Sequence, residues 1–363
     1  MGASDGRLPA VVPAGGRSDL RIAFALGGLG GGNAFGAGFL SAAQQLRVRP
    51  AAISCTSGMI VWTAHYLDGL DLRHKLRDHL AEMPKTPEAT PFGSPSFGNQ
   101  WMLAKGLPGV FRPAMQEYWE RWSFLSPFSE PKQWADRLLP AQTHVPTREP
   151  AYFEQIATTL AETDVAVMFN AFCPPTGQEV LFLNEAARAQ LGVSWQMQTP
   201  TRLYMPITAE GVEAALHLYS YGYERTYFDL NLIDGAYHRQ FILNELCDLR
   251  VPHKPDVMWI VRPQNSRWIG EMPANYFEQR DMETEIGMNS SYSMQLSRIE
   301  LINRMVRDGH LSPDSGYRHI QVELLQFVGK RDYFDYFIET EHVFNTAYHR
   351  ALDALSTRLG WTA

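Results

Sequence analysis

Three short segments carry residue types that could do chemistry together. Gly27-Gly-Leu-Gly-Gly-Gly-Asn33 holds five glycines in six positions, Ile53-Ser-Cys-Thr-Ser-Gly-Met59 holds a serine among small neighbours, and Leu232-Ile-Asp-Gly-Ala236 holds an aspartate before Gly-Ala. A glycine-rich run between a strand and a helix presents backbone N–H groups outward, and the helix dipole adds positive potential. Such a turn suits an anion: a dinucleotide pyrophosphate, a nucleotide phosphate, or the oxyanion of a tetrahedral intermediate.

The surrounding residues separate these three. A dinucleotide fingerprint running through Gly28 and Gly30 meets Asn33 where its third glycine belongs, and no Asp or Glu occurs between Leu20 and Leu67 to hold a ribose. No Gly-Lys-Ser/Thr follows the run, so a P-loop is excluded as well. A merely tight turn rarely needs so many glycines. An oxyanion needs a nucleophile beside it, and Ser57 follows by one strand–helix unit.

A serine on a sharp strand-to-helix turn projects its hydroxyl at the carboxyl edge of a sheet. Here the frame is Cys55-Thr-Ser57-Gly-Met59, with Cys and Met where the usual elbow has glycines. Taken alone, a serine before a helix is more often an N-cap. It also requires a base. Eleven histidines are available, none in a telling motif: His65 lies two turns along the same helix, while His217 and His238 stay open. Asp234 is the stronger candidate, because a carboxylate can accept directly from a serine hydroxyl. Asp-Gly also makes ordinary turns, and nearby Asp229 is an alternative without the Gly-Ala.

These residues need a sheet to bring them together. Leu20–Leu26 and Ala51–Cys55 read as short buried strands, each followed by a helix, Ala34–Leu46 and Gly58–Tyr66. A βαβα opening implies a parallel sheet. Asp164–Phe169 and Glu179–Leu183 flank a Pro-Pro-Thr-Gly turn as a hairpin, and Asp256–Val261 is another buried strand. Ile299, Ile302 and Val306 fall at helical spacing. Ile320, Val322 and Leu324 alternate as an edge strand does, and Val343–Leu359 reads as a closing helix.

Residues 1–19 read as a flexible tail, 20–262 as the main domain with an insertion over about 84–150, and 263–363 as an extension packed on it. The insertion is rich in Pro and Gly yet carries Trp101, Phe111, Trp119 and other aromatics. Aromatics usually mark a core; these three are also candidates to line an acyl-chain pocket.

A net charge of −7 without a basic stripe argues against nucleic acid. Three scattered cysteines suggest isolated thiols in a reducing compartment. No signal peptide or spanning segment is evident, so the cytoplasm is the expected location. The cysteines show no metal-ligand spacing.

Together and in this order, the three segments resemble the patatin-like phospholipase family, whose members carry a glycine-rich oxyanion loop, a serine elbow and a later D-G-[GA] motif. Ala25–Leu40 resembles the family's first motif without a gap. The resemblance covers about residues 20–262, and the remainder looks like the extension of longer bacterial members. It implies a three-layer α/β/α sandwich with a mainly parallel sheet. It also implies a Ser57–Asp234 dyad, an oxyanion hole around Gly28, Leu29, Gly30 and Gly31, and cleavage of acyl esters of lipid-like substrates, with no metal or organic cofactor needed. Peripheral lipid contact near Trp101 or Trp119 stays open. Leu29, Gly32, Cys55 and Met59 depart from the family pattern. A catalytically impaired lipid-binding protein, and an acyltransferase using the same acyl-enzyme, are therefore the alternatives.

Overall fold

A computed structural model describes residues 20–28, 33–82, 110–123, 130–138, 143–222, 225–269, 271–274, 276–328 and 340–359. Trp101, Leu29, Gly30, Gly31 and Gly32 lie outside the described residues, as does the tail over 1–19.

The chain opens as its patterning predicts. Strand β1 (Ile22–Leu26) leads to helix α1 (Asn33–Gln45), then β2 (Ala52–Cys55) and α2 (Met59–Leu67), with α3 (Leu72–Glu82) behind them. β1 is buried along its whole length, which is why its sequence shows no polar alternation. Ile22, Phe24 and Leu26 face one core, with Phe35, Phe39 and Trp62. Ala23 and Ala25 face a second core on the other side of the sheet.

Within the insertion, β3 (Phe111–Pro113) pairs antiparallel with β4 (His144–Pro146), and the short helices α4 (Met115–Arg121) and α5 (Pro131–Leu138) lie between them in sequence. Helix α6 (Pro150–Glu162) returns the chain to the main sheet. There β5 (Ala166–Cys173) and β6 (Gln178–Leu183) form the expected hairpin, antiparallel and in register at Phe169 and Phe182. Its turn uses Gly177 at φ +68°. The remaining elements are α7 (Glu185–Leu191), β7 (Arg202–Pro206), α8 (Ala209–Ala215), β8 (Ile233–Asp234), α9 (Leu243–Asp248), β9 (Val257–Arg262), α10 (Tyr276–Arg307), β10 (Gln321–Gln326) and α11 (Glu341–Leu359).

The eight-stranded sheet runs β10-β9-β1-β2-β5-β6-β7, with β8 paired to β5. Its five strands from β10 to β5 are parallel; the pairings of β6 and β8 with β5 are antiparallel. Phe153, Val212 and Phe344, from α6, α8 and α11, pack in the first core. Ala187, Leu243 and Tyr292, from α7, α9 and α10, pack in the second. The fold is α/β with a mostly parallel central sheet and helices on both faces, compatible with a three-layer sandwich.

The stretch beyond residue 262 is continuous with this frame, since β10 extends the sheet beside β9. β10 departs from the alternation expected of it. Val322 packs against the second core, Leu325 is buried in the first, and Leu324 is left 43% exposed. An edge strand with one neighbour tolerates this, because a single side chain can face solvent without opening either core.

Candidate active site

β1, β2 and β5 run parallel in register, with Leu26 beside Cys55 and Cys55 beside Phe169. Their carboxyl ends therefore meet at one rim, and the three segments singled out in the sequence converge there.

Ser57 sits two residues beyond β2, where the chain must reverse into α2. The turn closes with Met59 N–H donating to the Thr56 carbonyl at 3.1 Å and Ile60 N–H donating to that of Ser57 at 3.0 Å. Ser57 takes φ +52°, a left-handed conformation that costs a residue with a Cβ about 1–3 kcal/mol and persists only where its surroundings impose it. The residue is buried.

The surroundings that impose it centre on Thr56. Its Oγ1 donates to the Gln240 carbonyl at 2.8 Å and accepts from Gly28 N–H at 3.0 Å, while Gln240 Nε2 donates to the Gly28 carbonyl at 3.0 Å. Gly28 is thus clamped against the elbow. A Cβ on it would lie 2.1 Å from the Thr56 carbonyl oxygen and 2.7 Å from Ser57 Cβ, so only glycine lets the loop pass. This corrects the expectation that Gly28 is an oxyanion donor: its N–H is already committed to Thr56. The amide of Gly58, one residue past Ser57, makes no hydrogen bond among the described residues. That is the position from which such elbows usually donate.

The bulk of Met59 at the elbow is matched across the packed helices. A Cβ on Gly36 of α1 would sit 2.4 Å from Met59 Sδ, so the methionine occupies the space that Gly36 leaves. Cys55 is buried, and burial pushes its thiol up to about 12, so it behaves as a small apolar residue.

Asp234 arrives on β8, where it pairs with Ala171 of β5. Its N–H donates to the His217 carbonyl at 2.7 Å, and its Oδ1 accepts from Ala236 N–H at 2.8 Å. Its Oδ2 is buried without a partner of regular geometry. The Ser57 hydroxyl nevertheless lies near enough to interact with the carboxyl. Burial raises the Asp234 carboxyl from its ordinary value to about 7, while the Ser57 hydroxyl and the Ala236 amide pull it the other way. A contact outside regular hydrogen-bond geometry is common where a base waits for substrate.

A buried ionic lattice holds the Asp-Gly turn. Arg239 donates to Glu179 at 2.6 and 2.7 Å and to Glu245 at 2.7 Å; Arg202 bridges the same two carboxylates at 3.0 and 2.7 Å. Arg239 and Arg202 hold the Glu179 carboxylate ionised against the opposing effect of burial. Asn170 Nδ2 donates to Glu179 Oε1 at 2.8 Å and to the Arg239 carbonyl at 3.3 Å. Its carboxamide lies where a Cβ on Gly235 would fall, 2.2 Å from Asn170 Cγ. The Gly after Asp234 is thus required by Asn170. Thr56, Gln240, Asn170 and the four charged residues carry no local sequence signal, because their partners come from distant segments.

The other candidates lie elsewhere. His65 packs its ring against Trp62 and His79. His238 is exposed and stacks on Phe172, and Asp229 is exposed in a turn between Tyr227 and Leu230. His217 supports Asp234 through its backbone, and its Nδ1 lies 3.5 Å from the Leu232 carbonyl. Phe111 is buried between His217 and Tyr221. Trp119 stands 40% exposed on α4, edge-on to Trp122.

No cluster of three or more His, Cys, Asp or Glu that could hold a metal occurs among the described residues. No described helix is long and apolar enough to cross a membrane. No protein-family model matches this chain, and no curated protein sequence matches it.

Proposed function

We propose that the chain is a patatin-like serine acyl hydrolase that cleaves acyl esters of lipid-like substrates. One observation carries the proposal. A serine in a left-handed turn and a buried carboxyl raised to about 7 interact at the carboxyl rim of a parallel sheet, beside the clamped Gly28.

In the proposed cycle, Ser57 Oγ attacks the acyl carbonyl while its proton passes to Asp234 Oδ2. The resulting oxyanion is stabilised by backbone amides, that of Gly58 and those expected over Leu29, Gly30 and Gly31. Collapse breaks the ester C–O bond, and the departing alkoxide takes the proton from Asp234 to leave as the alcohol. Water then attacks the acyl-enzyme, giving its proton to Asp234. The second collapse returns that proton to Ser57 Oγ and releases the carboxylic acid. A catalytically impaired binding protein is less well supported, since Gly36 leaves room for Met59.

The test is covalent labelling with a fluorophosphonate, together with fatty-acid release from p-nitrophenyl esters. Labelling at Ser57, lost in Ser57→Ala and strongly slowed in Asp234→Asn, is the expected result. Equal labelling or equal turnover by Ser57→Ala overturns the proposal.

A further inference from the structure

Beside Asp234 lies a group of buried polar side chains that the hydrolytic cycle does not use. Tyr221 closes the 3-10 turn Tyr219–Tyr221, His217 lies just before that turn, and His144 comes from β4 of the insertion. The His144 and Tyr221 rings are 4.4 Å apart and those of His217 and Tyr221 are 5.6 Å apart, with Phe111 against both His217 and Tyr221. All three polar residues are at most 2% exposed. Among the described residues, the Tyr221 hydroxyl, both His144 nitrogens and His217 Nε2 have no hydrogen-bond partner. So many unpaired polar atoms in one place oppose folding unless something hydrogen-bonds them.

We infer that Tyr221, His144 and His217 form a hydrogen-bonding subsite for the alcohol half of the ester, and that this alcohol is an uncharged polyol. The inference rests on the hydrolase proposal and names its substrate class. An acyl chain laid here would leave the polar atoms unpaired, whereas adjacent hydroxyls both donate and accept. With His217 Nδ1 donating to the Leu232 carbonyl, its Nε2 is an acceptor. The Tyr221 hydroxyl and the His144 ring each supply a donor and an acceptor.

An anionic head group fits poorly. Burial pushes His144 down to about 3 and His217 down to about 4, so neither offers a cation at neutral pH. Arg225, whose charge also lowers His217, is paired with Glu213 at 2.5 Å. The Asp234 carboxylate, whose charge raises the Tyr221 hydroxyl further, would repel a phosphate.

The experiment compares kcat/KM for a 1-monoacylglycerol, the p-nitrophenyl ester of the same acid and the matching lysophospholipid, in wild type, Tyr221→Phe and His144→Phe. The ratio of monoacylglycerol to p-nitrophenyl ester is expected to fall about three- to tenfold in each variant, the worth of one hydrogen bond. That ratio does not depend on the fraction of folded protein. Wild type is expected to prefer the monoacylglycerol to the lysophospholipid. An unchanged ratio, or a faster reaction with the lysophospholipid, overturns the subsite while leaving the hydrolase intact. Should wild type cleave none of the three, the hydrolase proposal fails, and calorimetry with 1-O-octylglycerol judges the subsite alone. Kd is expected to rise about three- to tenfold in Tyr221→Phe; equal affinities, or no binding by wild type, overturn it.

Discussion

Met59 and Gly36 fit each other as a large and a small residue across the α1–α2 contact, with Met59 Sδ only 2.4 Å from where a Gly36 Cβ would stand. Replacing Gly by Ala inside a helix ordinarily stabilises it by about 1 kcal/mol. Here the clash should reverse the sign. Gly36→Ala is expected to destabilise by about 1–2 kcal/mol in the native background and to stabilise in a Met59→Ala background. Urea denaturation of the double-mutant cycle reads the coupling; additive effects would show that the two side chains do not share this space.

Asp234→Asn removes the proposed proton acceptor while keeping shape. The expected loss in kcat/KM is about two to four orders of magnitude, the usual worth of a positioned general base. Steady-state hydrolysis of p-nitrophenyl esters measures it, and a loss under threefold would remove Asp234 from the chemistry.

The pH dependence has a definite sign. A base must be ionised to accept a proton, so kcat/KM is expected to rise with pH through about 7, where burial sets the Asp234 carboxyl. A profile flat from pH 5 to 8.5 would contradict that assignment.

Stability should move the opposite way. Between the ordinary carboxyl value of 3.8 and about 7, the folded protein binds a proton at Asp234 that the unfolded chain has lost. Stability from this group therefore falls as pH rises through that window, by an amount on the order of a few kcal/mol. Asp234→Asn should then raise Tm most at pH 8, less at pH 5 and little at pH 3. Equal changes at all three values, followed by calorimetry, would rule out a buried ionisation at this site.

Arg239 is the keystone of the buried lattice. Arg239→Met leaves the two carboxylates of Glu179 and Glu245 sharing Arg202 alone, and a loss of about 3–5 kcal/mol is expected. The additional change Glu179→Gln should recover part of it. Denaturant titration of the three proteins decides the point.

What the sequence makes legible here is local. Buried runs bounded by glycine mark β1 and β2, the Pro-Pro-Thr-Gly turn marks the β5–β6 hairpin, and Ser57 and Asp234 stand out because small residues flank them. β8 is too short, at two residues, for any period to announce it. Only the last turns of α10 show a clean apolar spacing, since most of that helix is partly exposed. The Gly28 amide is misassigned because its acceptor, Thr56 Oγ1, lies on the other strand's turn. Glu179 hides its role for a related reason. A charge opening a strand looks solvated until Arg239, sixty residues on, is folded against it.

The order of strands also bears on when the protein can first work. β1 lies between β2 and β9, so the strand that launches the glycine loop gains its second neighbour only after residues 257–262 have been made. α11 then packs against α1, the helix that loop feeds. Pairings so distant along the chain form slowly and late. A nascent polypeptide would thus carry Ser57 and Asp234 before it could hold them in the positions that the proposed chemistry requires, and that chemistry would wait on the folding of β9 and α11.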